Sequence, residues 1–163
     1  MKKLTFFLLI IGFSLEKSKY DAINMCEYTT QDYIHYYSST NTLAVCSGGS
    51  VIEKFRASHG SGGIGKTQQG DRKTPVGEYS LARPRPSNSF WRTFIHIGYP
   101  RQDQIDEGYT GGSVGLHGPL KYFPYRNDLI NYGAGCIVTE NNESIDKIEN
   151  YISQMDINLI FIE

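Results

Sequence analysis

Short runs of apolar and aromatic residues bounded by turn residues recur along most of this chain, and one of them, 90–99, alternates with polar residues; such runs are typical of β-strands. The runs predict strands at 33–37, 43–46, 51–57, 78–82, 90–99, 114–117, 136–139 and 157–162. Between the second and third runs, Ser47-Gly48-Gly49-Ser50 predicts a hairpin, because glycine accepts the positive φ of a tight turn. Residues 83–88, with two prolines, are expected to form a stiff polar rim, and 102–107 a single helical turn.

A different period near the end of the chain predicts an α-helix. The apolar residues of one helical face recur there at intervals of three or four: Ile145, Ile148, Ile152 and Met155. Asn141 or Asn142 suits the N-cap, and Glu143 in the first turn complements the helix dipole. We therefore expect a mainly β domain with some α/β character, closed by this C-terminal helix and a last strand.

Composition is typical of one globular domain and excludes some functions. The 163 residues, 39% of them hydrophobic, suffice for a single core. A net charge of −1, with no run of lysine and arginine among aromatics, excludes an electrostatic surface for nucleic acid. The four histidines lie in separate segments without metal-binding spacing, so no metal site and no cofactor are predicted. We expect a monomer.

The first residues have the pattern of a secretory signal. Lys2 and Lys3 precede an apolar run over 4–13, which is too short to span a bilayer comfortably but suits a signal h-region. We predict a signal at 1–18, and hence a periplasmic or cell-wall-associated protein. An uncleaved membrane anchor and a buried N-terminal strand are the alternatives, and the cleavage site is not determined.

One histidine and one cysteine carry the candidate chemistry. Gly115-Leu116-His117-Gly118 precedes Gly133-Ala134-Gly135-Cys136, in a chain with three cysteines. A thiol attacks a carbonyl as thiolate, so it requires a base nearby, and glycine before it permits a sharp turn. This predicts Cys136 as nucleophile, with a depressed pKa, and His117 as base. His59, also followed by glycine, is a rival base.

The other two cysteines, Cys26 and Cys46, form an even pair in a chain that carries an export signal. A bridge between them would tie the N-terminal arm to the sheet. Two free thiols are the alternative, because spacing does not determine geometry.

These motifs together resemble the L,D-transpeptidase catalytic domain, also called YkuD-like, in its shorter murein-processing branch. The family's Gly-Asp-x-x-Thr-Pro-x-Gly-x-Tyr segment corresponds to residues 70–79, and its His-Gly and Gly-Cys pairs to His117-Gly118 and Gly135-Cys136. The resemblance runs from Tyr33 to Asp146. Gly133 departs from it, because the family has serine or threonine two residues before Gly-Cys.

The resemblance implies a YkuD-like β-sandwich or barrel-like domain over 28–163 and a cofactor-free acyl transfer. Cys136 would be acylated by a peptidoglycan stem tetrapeptide at the L-centre of diaminopimelate, with loss of D-alanine. Gly118 would orient His117, and Gly135 would help to hold the oxyanion. Substrate contacts are expected from residues in a loop over the site: Lys121, Tyr122, Arg126 and Tyr132. For Lys121 and Arg126, solvated charges on the loop surface are the alternative.

The acceptor stays open at this point. An amine would give a crosslink or the attachment of a murein-linked lipoprotein, whereas water would make the protein a murein hydrolase, either a carboxypeptidase or an amidase that cleaves lipoprotein or stem-peptide links. An inactive cell-wall-binding module is the non-enzymatic alternative. A reactive Cys136 would distinguish an enzyme from such a module.

Overall fold

The secondary structure of the chain is predominantly β. The computed structural model describes residues 25–86, 90–120 and 133–163. Its elements are β1 (Tyr33–Tyr37), β2 (Thr42–Ser47), β3 (Ser50–Ser58), β4 (Gly77–Ser80), β5 (Arg85–Pro86), β6 (Thr93–His96), α1 (Gln102–Asp106), β7 (Gly115–His117), β8 (Ile137–Thr139), α2 (Asn142–Met155) and β9 (Leu159–Ile162). The predicted mainly β fold with a C-terminal helix is confirmed.

The strands form one sheet in the order β4-β9-β1-β2-β3-β8-β7-β6-β5. The pairs β1–β9 and β7–β8 are parallel, and the other neighbours are antiparallel. The predicted hairpin joins β2 to β3, with φ of 55° at Gly48 and 77° at Gly49. Only glycine adopts such angles without strain, so these two residues determine the turn.

The sheet is curled because the end of β4 and the residues after it form backbone hydrogen bonds with β6 and the residues after it, which lie near the other edge of the sheet. Ser80 accepts a hydrogen bond from the Gly98 N–H at 2.8 Å, and the Ala82 N–H donates to His96 at 2.9 Å. Leu81 forms a bridge with Ile97 between them. These bonds join the β4 end of the sheet to β6, which gives the predicted barrel-like shape.

Two strand predictions were too long, and one segment predicted as a loop contains a short strand. The predicted strand at 90–99 is shortened to β6, and the one at 78–82 is shortened to β4. Both segments leave their neighbouring strands at this point and pair with each other at the Leu81–Ile97 bridge. The predicted rim at 83–88 contains β5, which pairs with β6 and ends the sheet. Residues 87–89 of that rim lie outside the described residues.

Helix α2 covers the interior of the curled sheet, as its apolar period predicts. Ile145, Ile148 and Ile152 are fully buried in the main core, with Met155 packed at its edge. The Asn141 side chain caps the helix by accepting a hydrogen bond from the Ser144 N–H at 2.8 Å. The helix therefore holds β6 and β8, which carry much of the site described below. Among the described residues, no helix is long and apolar enough to cross a membrane.

A disulfide joins the N-terminal arm to the sheet, which resolves the alternatives left open for these cysteines. Cys26 and Cys46 are bonded, with their Cα atoms 5.4 Å apart, and both are fully buried. They form a second, smaller apolar cluster with Met25, Tyr33 and Ala44. Cys136 is consequently the free cysteine of the three.

Candidate active site

His117 and Cys136 are carried by two neighbouring strands, His117 by β7 and Cys136 by the residue position directly before β8. The parallel register places Leu116 opposite Ile137 and His117 opposite Val138. Cys136, directly before β8, therefore lies at the level of Gly115. Since side chains alternate along a strand, the thiol and the imidazole are brought to the same face of the sheet. The local sequence around each residue does not predict this shared face, because it depends on the pairing of two strands from separate segments of the chain.

The imidazole of His117 is held by one hydrogen bond and by two aromatic rings. Its Nδ1–H donates to the carbonyl oxygen of Gly118 at 2.7 Å, since a carbonyl only accepts, and this leaves the Nε2 lone pair available as a base. The rings of Trp91 and Phe94 pack against it, with centroids 4.4 and 5.7 Å away. A side chain at position 118 would collide with Asn142, 2.6 Å from the Cβ position. The expected orienting role of Gly118 is thus compatible with this geometry.

Burial determines the charge state of His117. Its side chain is almost wholly enclosed, at 4% exposed. Loss of hydration lowers the pKa of His117 to about 4, and the bond to Gly118, which favours the charged form, offsets only part of that effect. The imidazole is therefore neutral at pH 7 and able to accept a proton.

Cys136 is also neutral at rest. Burial raises the pKa of its thiol, and a hydrogen bond with the Gly115 backbone and the positive charge of Lys66 oppose that rise without cancelling it. The thiol donates weakly to the Ser113 carbonyl, 3.8 Å away. The sequence-based expectation of a depressed pKa is wrong for this structure. A neutral thiol beside a neutral base still permits transfer of the proton as the sulfur attacks.

The turn before Cys136 is fixed by a threonine from a distant loop. The hydroxyl of the fully buried Thr74 donates to the Gly135 carbonyl at 2.9 Å and accepts from the Gly60 N–H at 2.9 Å. Gly135 has φ of 121°, and a Cβ there would lie 2.7 Å from the Lys73 carbonyl oxygen. Glycine is therefore required at 135, and Thr74 is a positioning residue that the sequence indicated only as part of a motif.

Gly133, where the resembled family has serine or threonine, lies in the same turn. Its carbonyl accepts a hydrogen bond from the Ser61 N–H at 2.8 Å, and it forms a bridge with Gly60. A Cβ at position 133 would make a close contact, 3.3 Å, with the Cys136 carbonyl oxygen. The backbone therefore holds this part of the turn without a side-chain hydroxyl at 133.

A buried ion pair supports the loop that carries Thr74. Lys66 Nζ lies 2.7 Å from Asp71 Oδ1, and these side chains are only 4% and 16% exposed. Desolvation raises the pKa of Asp71. The hydrogen bond from Lys66 and three backbone N–H donors favour the charged carboxylate and outweigh that effect, so the pKa lies well below its usual range. The backbone donors belong to Thr67, Gln68 and Lys73. The pair thus folds residues 66–73 around one carboxylate.

We expect Asp71→Asn to destabilise the fold by about 3 kcal/mol, because it leaves the Lys66 ammonium buried without its counter-charge. The pKa of Asp71 is depressed, so its contribution is fully present above pH ~4, the ordinary value, and decreases progressively as the pH falls from there toward the lower pKa of the folded state. Urea unfolding at pH 7 and pH 3 measures both effects. The matched control is Asp103→Asn, whose partner Arg101 is exposed, and which should change little. Equal stability of the two variants would contradict the assigned role.

A cavity of about 370 Å³ opens beside His117. It is lined by side chains of β5, β6 and the segments next to them: Arg85, Pro86, Trp91, Phe94, His96 and Ser113. Trp91 and Phe94 also contact the imidazole, so two residues of the lining separate the cavity from His117. Sequence reasoning missed it, although the alternation of 90–99 could have indicated that Phe94 and His96 share a face.

The other predicted site residues divide into two groups. His59 lies near the turn that precedes Cys136, because the next residue, Gly60, forms a bridge with Gly133 of that turn. Its Nδ1–H donates to the Gly60 carbonyl at 3.0 Å. The substrate-contact predictions fall outside the described residues and stay predictions: Lys121, Tyr122, Arg126 and Tyr132. In the described part of the chain, no three histidine, cysteine or acidic residues are grouped so that they could hold a metal ion.

The sequence matches a known domain family and a curated relative. The family model for the L,D-transpeptidase catalytic domain, YkuD, matches residues 31–157. YafK of Escherichia coli (strain K12), a protein whose name places it among the L,D-transpeptidases, is 28% identical over 106 residues, which are 63% of this chain and 38% of YafK. The chain therefore spans well under half of that relative.

Two solved structures are similar in fold. One is the helical cell shape determining protein Pgp2 from Campylobacter jejuni, with a TM-score of 0.67 and 22% identity over 90% of this chain and 53% of Pgp2. The other is Bd1075 of Bdellovibrio bacteriovorus, with a TM-score of 0.61 and 24% identity over 86% of this chain and 51% of Bd1075. At these identities the likeness is one of fold.

Proposed function

The chain belongs to the L,D-transpeptidase catalytic domain family, and from that premise we propose that it is a peptidoglycan L,D-transpeptidase whose nucleophile is Cys136 and whose general base is His117. The observation that carries the proposal is the arrangement at β7 and β8. There a buried, neutral imidazole, fixed through Nδ1 to the Gly118 carbonyl, shares a face with the free thiol.

The proposed reaction has two acyl-transfer steps. Cys136 Sγ attacks the amide carbonyl on the L-centre of diaminopimelate in a stem tetrapeptide, while His117 Nε2 takes the thiol proton. His117 then gives that proton to the departing amine of D-alanine, the C–N bond breaks and a thioester remains. An incoming amine, or water, attacks the thioester and releases the thiol. No metal or cofactor takes part in these steps.

Backbone donors would stabilise the tetrahedral intermediate. The N–H groups at Gly135 and Cys136 lie in the turn that Thr74 holds, and the positive φ of Gly135 sets their direction. A preorganised donor of this kind typically contributes a factor of about 10²–10³ in rate. We therefore include Gly135 in the proposed catalytic machinery, through its backbone.

The proposal places the protein outside the cytoplasm, where its substrate lies. The disulfide between Cys26 and Cys46 supports this, because such bonds persist in oxidising compartments. Within the proposal, residues 1–18 act as a secretory signal or anchor and 28–163 form the catalytic domain. Peptidoglycan stem peptides are the proposed substrates, and a murein-linked lipoprotein is a further proposed acceptor.

The test is mass spectrometry of a disaccharide-tetrapeptide incubated with the purified domain. We expect loss of D-alanine and, on the denatured protein, an adduct on Cys136. A crosslinked dimer identifies amine transfer, and a free tripeptide identifies hydrolysis. The control is enzyme treated with iodoacetamide, which blocks the one free thiol and should abolish both signals.

Whole sacculi provide the second substrate if the tetrapeptide is unchanged. Release of lipoprotein or stem peptides by the active protein, but not by the blocked one, would assign hydrolysis to the same thiol. No thiol-dependent product from either substrate would overturn the proposal and favour a cell-wall-binding module.

A further inference from the structure

An arginine stands in register with the catalytic histidine, two strands away. In the antiparallel pairs, Arg85 of β5 lies opposite Phe94 of β6, which lies opposite His117 of β7. Residues directly opposite each other in a sheet project from the same face. Arg85, Phe94 and His117 therefore form one row across the sheet, with the aromatic ring between the two polar side chains.

The row is short enough for one small ligand to contact both of its ends. Neighbouring strands are about 4.8 Å apart, so the Cα atoms of Arg85 and His117 are about 10 Å apart. The cavity of about 370 Å³ lies beside this row, with Arg85 and Phe94 in its lining. Ser113, also in the lining, is the residue whose carbonyl lies 3.8 Å from Cys136 Sγ. The lining thus includes residues that contact each member of the proposed catalytic pair: Trp91 and Phe94 contact His117, and Ser113 contacts Cys136.

The lining combines a mainly apolar wall with a single guanidinium. Trp91, Phe94 and Pro86 provide aromatic and ring carbon surface, while His96 and Ser113 lie at its edge. Among the described residues, no carboxylate forms an ion pair with Arg85, whereas Arg83 and Arg92 pair with Asp156 and Asp146. The cavity accordingly suits a small organic anion with an apolar substituent.

We infer that this cavity is the leaving-group subsite, in which Arg85 binds the free carboxylate of the terminal amino acid that is released. The inference rests on the proposed function. In an amino acid the amine and the carboxylate are attached to one carbon, so a leaving amine protonated by His117 brings its carboxylate next to the imidazole. The Arg85 side of the row is where the cavity provides room for it. The side chain of the departing residue then lies against Trp91 and Phe94.

This assignment makes Arg85 a specificity-determining residue for the length of the stem peptide. A stem whose fourth residue ends in a carboxylate satisfies the guanidinium, with the two bonds that arginine forms to a carboxylate. A stem extended by a further residue, or capped as an amide, has no charge there and leaves Arg85 without a partner. The protein should therefore select tetrapeptide donors.

The experiment compares a tetrapeptide with its C-terminal amide, using kcat/KM for release of D-alanine or D-alaninamide. The unmodified protein should prefer the acid by about 10- to 100-fold, the range for a hydrogen-bonded charge. Arg85→Gln should reduce that ratio to near one, and Arg85→Lys should restore part of it. Arg83→Gln, an equally exposed charge removed two residues earlier, is the matched control and should keep the full preference.

The outcomes separate this inference from the function on which it rests. No release from either peptide by the unmodified protein means that the proposed reaction with tetrapeptide donors, on which the inference rests, has failed. Release with equal efficiency from acid and amide, or a preference that survives in Arg85→Gln, overturns the subsite assignment and leaves the function standing. Thermal unfolding of each variant checks that it folds. If Arg85→Gln does not fold, the acid-to-amide ratio of Arg85→Lys decides: a ratio below that of the unmodified protein supports the assignment, and an unchanged ratio overturns it.

Discussion

The Cys136→Ala variant is expected to release no D-alanine from the tetrapeptide and to form no adduct. Alanine removes the sulfur that forms the thioester, and no other free cysteine exists in the chain. Removing a nucleophile from a covalent mechanism lowers the rate by on the order of 10⁶-fold, which is below detection for most assays. Chromatography of the peptide products, with intact-protein mass spectrometry, measures both effects.

The control for this variant is the double replacement Cys26→Ala with Cys46→Ala. It removes the other two thiols, which are disulfide-bonded and lie in a separate apolar cluster. Stability should fall by about 3 kcal/mol with a loop of this length, while turnover at a temperature where the protein stays folded should persist. Residual adduct on Cys136→Ala, or loss of turnover in the folded double variant, would show that Cys136 is not the nucleophile.

The second large effect is expected for His117→Gln. Glutamine approximates the volume of the imidazole and keeps a polar side chain beside Trp91 and Phe94, but it does not accept a proton. General acid–base help contributes about 10²–10⁴-fold, so kcat/KM should fall by that factor while the fold is retained. His59→Gln, which changes the rival histidine of the neighbouring turn, should weaken turnover only slightly. The reverse order of the two variants would assign the base to His59.

The pH dependence of kcat/KM reports on the same residue. The pKa of His117 is lowered from 6.5 to about 4 by burial. A base acts in its neutral form, so activity should be fully present at pH 6 to 7 and be lost as the pH falls through about 4. Stopped assays across pH 3.5 to 8 measure this. An acidic limb centred near 6.5 would mean that the imidazole is solvated in the working enzyme.

Thr74 and the Lys66–Asp71 pair show what the motif around residues 70–79 does in the fold. The sequence relates this segment to a family, but not to the nucleophile. In the structure, the ion pair shapes the loop, and the Thr74 hydroxyl bonds to the Gly135 carbonyl across a separation of 61 residues. Lys66 also acts on Cys136 through its charge. The segment therefore supports the turn before Cys136.

Local chemistry in the sequence determined much of this molecule. The aromatic run at 33–37 predicted β1, and the apolar run at 43–46 and the run at 51–57 on either side of the turn predicted β2 and β3, because such short runs bounded by turn residues favour strands. The glycines at 48 and 49 predicted the hairpin, and the apolar spacing after Asn141 predicted α2. His117 and Cys136 were evident as candidates because their glycine neighbours have a backbone requirement that the sequence displays.

The tertiary structure decided what depends on contacts between distant residues. The sequence does not show that β4 and β6 join to curl the sheet, that Arg85, Phe94 and His117 share a row, or that Cys26 and Cys46 are bonded. The pKa of Cys136 is the clearest case: a catalytic motif predicted a depressed value, and burial raises it. Burial and register arise only when segments far apart in the chain pack together, and a periodic pattern reports only on its own element.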